Sequence, residues 1–132
     1  MGPADIRARI RVGDATTLIS APGVHLLTGH VGKGQQFDWV VIVGFEEGVI
    51  PNFRVSSADE MAEEARVLSV MLSRARDGVI VGRAASIPTN NGRPMNRTPS
   101  SFLGQISSAH PRDAANLVAW LSQVSWTDIA AR

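Results

Sequence analysis

Apolar and polar positions recur with two different periods along this chain, and the change from one to the other marks the elements. Val24-His25-Leu26-Leu27-Thr28 is apolar and partly β-branched, follows the breakers Ala21-Pro22-Gly23, and so predicts a strand. Trp39 to Val43 is apolar at every position, as a central parallel strand covered on both faces should be. From Met61 the spacing becomes helical. Met61, Ala65, Leu68 and Leu72 fall on one stripe, with Val67 and Met71 beside it. Ser57 and Glu60 stand before the stripe at capping-box spacing, and Asp77-Gly78 reads as its stop. Val79-Ile80-Val81 predicts a third strand. Strand, helix, strand at this spacing is a βαβ unit, with parallel strands and a right-handed crossover.

The remaining segments carry weaker patterns. In residues 1–21, Ile6, Ile10 and Val12 alternate with charge and Thr16 to Ile19 is apolar. Glu46 to Pro51 reads as a turn region closed by proline. Ser86 to Ser100 contains Pro88, Asn90-Asn91-Gly92, Pro94 and Pro99 and reads as an irregular surface loop. Ser101 to Ile106 reads as a short helix. Pro111 opens a last helix whose inward residues are expected to be Ala114, Leu117, Val118 and Leu121. The expected organisation is an N-terminal segment 1–21, an α/β domain 22–106 and a C-terminal helix and tail 107–132.

Composition narrows the classes. A chain of 132 residues, 44% hydrophobic, is about one domain with an ordinary soluble core. No apolar run approaches the ~20 residues of a membrane span, and the N-terminus has no long apolar signal region, so a cytoplasmic location without a membrane partner is expected. With no cysteine there is no disulfide framework, and His25, His30 and His110 lack zinc-site spacing, so no metal site is expected. Net charge is +1, yet the charges are unevenly placed. Six acids lie between Glu46 and Glu64 against Arg54 alone, whereas Gly78 to Arg112 holds four arginines and no acid. Arg7, Arg9 and Arg11 form a further basic cluster. Such segregation is either solvated surface or an edge that faces phosphates.

Lys33 is the only lysine in the chain, and it sits between Gly32 and Gly34 ahead of the Trp39 strand. Glycines admit close backbone approach and a lysine supplies a point charge for phosphate. The P-loop pattern G-x-x-x-x-G-K-S/T nevertheless fails here. Leu27 stands at its first glycine, and Gly34 follows the lysine without a hydroxyl for magnesium. There is no G-x-S-x-G elbow, and His30 with Asp38 lacks a nucleophile. Glu46-Glu47 and Glu63-Glu64 are adjacent in sequence and point different ways, which suits solvated surface better than acid/base chemistry.

The order of features is more specific than any one of them. A strand is followed by Thr28-Gly29-His30-Val31-Gly32-Lys33-Gly34-Gln35-Gln36-Phe37-Asp38 and a second strand. Val43-Gly44-Phe45-Glu46-Glu47-Gly48 then leads to Pro51, Glu63-Glu64-Ala65-Arg66 lies on a helix, and Ser73-Arg74-Ala75-Arg76 ends it. This resembles motifs V and VI of superfamily 1 DNA helicases of the UvrD/Rep/PcrA type. Motif V there reads like T-x-H-x-x-K-G-L-E-F with a following G-x-x-E-G-x-x-P, and motif VI reads like E-E-x-R-L-x-Y-V-x-x-T-R-A. Arg97-Thr98-Pro99-Ser100-Ser101-Phe102-Leu103 is similar to the ending common after motif VI, so the likeness runs from about Val24 to Ile106.

The resemblance implies a RecA-like parallel sheet with flanking helices, of the P-loop NTPase-like α/β fold, as a C-terminal helicase domain. In that family ATP and Mg²⁺ are held mainly by a first RecA-like domain, which is thereby an implied partner together with single-stranded DNA. The implied parent is an ATP-dependent DNA helicase moving 3′ to 5′, with DNA repair among the pathways open to it, while this chain alone, lacking a P-loop, is expected to be inactive. Carried over by position, Arg74 matches the arginine finger, and Gly34 and Gln36 join it toward ATP. Thr28, His30 and Lys33 match DNA-contacting positions. Glu64 and Arg66 match an internal ion pair, and Arg76 is left to compensate the helix dipole. The sequence departs from the family at Gln35, Gln36, Ser69 and Ser73, which stand where leucine, glutamate, tyrosine and threonine are usual. Gln36 can accept a bond from the nucleotide sugar only without charge assistance. The alternative is a non-catalytic, helicase-derived DNA- or protein-binding module.

Overall fold

The strand expected at Val24 lies beside one that the sequence reading left unassigned. Strand β1 (Ile10–Val12) pairs in parallel with β2 (Val24–Leu26), in the register Ile10↔Val24, Arg11↔His25, Val12↔Leu26. The structure, a computed structural model, describes residues 10–12, 22–30, 34–106, 113–125 and 127; Lys33 and Pro111 lie outside them. Two compact units are present, one formed by residues 1–42 and 56–80 and the other by 43–55 and 81–132.

In the first unit, β3 (Phe37–Ile42) pairs with β4 (Ala75–Val81), and helix α1 (Ala58–Ser73) connects them and packs on β3. The helix begins where its capping box predicts. Ser57 Oγ accepts from Glu60 N–H at 3.2 Å, and Glu60 Oε2 accepts from the backbone N–H groups of Ser56 and Ser57. Leu68, on the expected stripe, is buried. The helix stops earlier than Asp77-Gly78, at Ser73, and both of those residues lie inside β4. Gly78 is there for another reason: a Cβ at this position would lie 2.5 Å from Cζ3 of Trp39. The indole occupies the space that a side chain would need. Ile42 is buried on one face of β3, while Val41 on the other is 59% exposed, so the strand is covered on one face here and not on both.

In the second unit, the segment read as a surface loop forms a hairpin, β5 (Ser86–Pro88) with β6 (Pro94–Asn96). Pro88 pairs opposite Pro94, where neither must donate, and Gly92 turns the chain at φ +73 while donating to Thr89 O. The short helix is a 3-10 helix (Ser101–Gln105), capped by Ser100. Glu46, read as solvated surface, is instead 4% exposed. Its Oε1 accepts from Ala84 N–H at 2.6 Å and its Oε2 lies 4.0 Å from Arg97 Nε. Glu47 Oε2 accepts from Ser101 N–H at 2.8 Å, at the start of the 3-10 helix. Backbone bonds from Glu47 N–H to Thr98 O and from Ser100 N–H to Phe45 O complete the clamp, beside the fully buried Phe45.

Helix α2 (Ala114–Gln123) starts at Asp113, whose carboxylate accepts from Asn116 N–H. None of its residues is buried, and Val118, expected inward, is exposed. Among the described residues no helix is long and apolar enough to cross a membrane.

The cap gives a measurable consequence. Ser57→Ala should destabilise the chain by about 1 kcal/mol, seen as a lower denaturant midpoint at constant slope. The Ser56 and Ser57 donors hold the Glu60 carboxyl below its ordinary pKa. Its folded-state value therefore lies under the unfolded one, and its stabilisation is present at neutral pH and lost as acid protonates it. Glu60→Gln should flatten the acid limb of stability against pH relative to the unmodified chain.

Candidate functional site

Of the residues singled out by sequence, Arg74 ends α1 and the Thr28–His30 segment packs on the same helix, within the first unit. Arg74 is the helix C-cap, with its backbone still near-helical, and β4 starts at the next residue. Its carbonyl accepts from Phe37 N–H at 2.8 Å, so the start of β3 hangs from the arginine's own backbone. Gln36, immediately before that bond, is exposed. Among the described arginines only Arg74 is buried, at 7% exposure. A guanidinium stays charged at any physiological pH, and removing it from water is costly, so its burial calls for a specific purpose.

The loop after β2 is held against the same helix. Thr28 and His30 are exposed, and Gly29 between them faces α1 so closely that a Cβ would lie 2.8 Å from Val67 Cγ1 and 2.9 Å from Met71 Sδ. Its φ is not in the left-handed region, so contact alone demands the missing side chain there. Gly34 differs: it has φ +80 with open space around the position of a Cβ, so its demand is conformational. The rings of His25 on β2 and Phe37 on β3 lie 6.3 Å apart and complete the support beneath the loop.

Arg66 pairs with Glu63, one helical turn back, since residues three apart on a helix meet. Arg76 lies on β4 and reaches Asp38 on β3 at 3.4 Å, so it bridges strands and does not cap the helix. Both pairs are mostly exposed and contribute little. The departures at Ser69 and Ser73 are absorbed locally: their hydroxyls donate to Ala65 O and Val70 O within α1. Among the described residues no three His, Cys, Asp or Glu cluster to hold a metal ion.

The arrangement bonds the backbone of a buried arginine to the residue that follows the exposed Gln36, and puts a hydroxyl and an imidazole on a loop packed against the same helix. The family model described as UvrD-like helicase C-terminal domain matches residues 7–85. The ATP-dependent DNA helicase PcrA of Staphylococcus aureus (strain Mu50) is 38% identical over 98 residues, which is 72% of this chain and 13% of that protein. The ATP-dependent DNA helicase UvrD1 of Mycobacterium tuberculosis is 37% identical over 84 residues, 63% of this chain and 11% of that protein. The chain thus spans roughly an eighth of the length of these relatives.

The close approach at Gly29 is testable. Gly29→Val should cost roughly 1–3 kcal/mol through overpacking against Val67 and Met71. Met71→Ala in the same chain should return part of that loss, read as a coupling energy in a double-mutant cycle of denaturation midpoints.

Proposed function

The chain belongs to the UvrD-like helicase C-terminal domain family, and we propose that it is the RecA-like C-terminal domain, centred on residues 22–106, of an ATP-dependent superfamily 1 DNA helicase. In this reading it contributes one wall of an ATPase site shared with a first RecA-like domain, and the single-stranded DNA contacts of that site's coupled track. The observation that carries the reading is the burial of Arg74 at the helix–strand junction, with the Thr28–His30 loop packed on the same helix through Gly29.

The roles follow from chemistry. Phosphoryl transfer spreads negative charge over three oxygens, and a positioned guanidinium stabilises that charge. Arg74 is that guanidinium, held by a backbone that is bonded on both sides of it. Gln36 is placed to accept from a nucleotide sugar, and Gly34 leaves room for close backbone approach. ATP and Mg²⁺ are held mainly by the first domain, which supplies the P-loop pattern that these 132 residues lack. Thr28, His30 and Lys33 meet the DNA strand. Because Gly29 seats the Thr28–His30 segment on α1, a shift of the helix that carries Arg74 moves that segment with it. That link is a route by which an ATP cycle drives 3′-to-5′ movement.

Two outcomes are expected. In the full-length parent, Arg74→Ala should leave ATP binding largely intact and lower turnover by a factor on the order of a thousand. Turnover at the unmodified rate would remove Arg74 from the site, and a parent with no turnover at all would favour a non-catalytic binding module, a role in keeping with Gln36. The purified 132-residue chain should show no DNA-stimulated ATP hydrolysis.

A further inference from the structure

In the second unit, residues 46–55 form a loop that is rigid by its bonding and yet turns a large apolar ring outward. Val49 and Ile50 N–H groups both donate to Glu46 O at 3.0 Å, Phe53 N–H to Gly48 O at 3.1 Å, and Val55 N–H to Asn52 O at 3.1 Å. The Asn52 side chain accepts from Arg54 N–H at 3.0 Å, and Pro51 is fully buried. On this frame Phe53 is 74% exposed. A phenyl ring left in water is unfavourable, and a slack loop would fold it inward; here the backbone bonds prevent that. The Arg54 guanidinium lies 5.4 Å from the ring centroid. Among the described residues Arg54 makes no ion pair. The acids of the same loop, Glu46 and Glu47, are committed to Ala84, Arg97 and Ser101.

We propose that Phe53 and Arg54 form a stacking subsite for an unpaired nucleobase, with Arg54 contacting the adjoining phosphate. The proposal rests on the DNA-binding reading above and adds a contact outside the Thr28–Lys33 loop. An exposed ring accepts any base on its π-face, and a neighbouring unpaired cation meets the charge that every nucleotide carries. Asn52, the side chain best placed to read a base edge, is spent on the loop itself, so binding at this point is tolerant of sequence. A protein partner with an apolar groove would be satisfied by any apolar side chain at residue 53, whereas a base needs an aromatic one, and this difference makes the two separable.

The experiment uses the 132-residue chain and short oligodeoxythymidylates, with affinity measured across a salt series. Phe53→Ala should weaken binding roughly 5- to 150-fold without changing the slope of log affinity against log salt. Phe53→Trp should retain affinity, and Phe53→Leu should lose it as alanine does. Arg54→Ala should reduce the salt slope by about 0.7, one phosphate contact on a single strand. Unchanged affinity in Phe53→Ala, or full affinity in Phe53→Leu, overturns the subsite, the latter in favour of an apolar protein contact. His30→Ala serves as the parallel arm. A loss there without one at Phe53 leaves the DNA-binding reading standing and removes the subsite, and the reverse pattern keeps the subsite and removes the His30 contact. A chain that binds no oligonucleotide overturns both.

Discussion

One backbone hydrogen bond holds the candidate site together: Phe37 N–H to the carbonyl of Arg74. It joins the end of α1 to the start of β3 at the residue whose side chain carries the charge. Because the helix ends at Ser73 and β4 begins at Ala75, Arg74 has no freedom to wander along either element. The same helix seats the Thr28–His30 loop through Gly29, so the two halves of the candidate site pack on one helix. Trp39 lying over Gly78 fixes β3 against β4 a little further along, where a single extra methyl group would force them apart.

The second unit depends on carboxylates in an analogous way. Glu46 and Glu47 are neighbours with opposite fates, one buried and one exposed, because their side chains leave the backbone in different directions. Both nevertheless accept from backbone N–H groups of the segment that follows β4. Charged acceptors make the stronger hydrogen bonds, and burial of Glu46 next to Arg97 makes its loss more costly than that of a surface acid. Pinning of this kind lets a loop without regular secondary structure present Phe53 and Arg54 in a fixed pose.

Membership of the UvrD-like family gives these contacts a common sense. Arg74, the only buried arginine among the described residues, caps α1, and the glycine-seated loop packs on Val67 and Met71 of the same helix. The serines at positions 69 and 73 cost the helix little, since each hydroxyl bonds back to its own turn. Of the departures from the family pattern, Gln36 alone is both exposed and next to Arg74's bonded partner.

The sequence by itself determined whatever rests on short-range pattern. The capping box at Ser57 and Glu60, the buried stripe through Leu68, the strands at Val24 and Trp39, and the ordered motifs that carry the family likeness were all legible, because each is set by neighbours within a turn or by alternation along a strand. Tertiary structure alone decided the rest. Gly78 read as a helix stop, since the indole that requires it comes from Trp39 on another strand. The proline-rich stretch read as loop, since pairing Pro88 with Pro94 depends on a turn at Gly92 that composition does not specify. Glu46 read as surface, since its partners Ala84 and Arg97 lie far along the chain. Burial is a property of what packs on a residue, and the partners that bury Glu46 and crowd Gly29 are brought to them only by the fold.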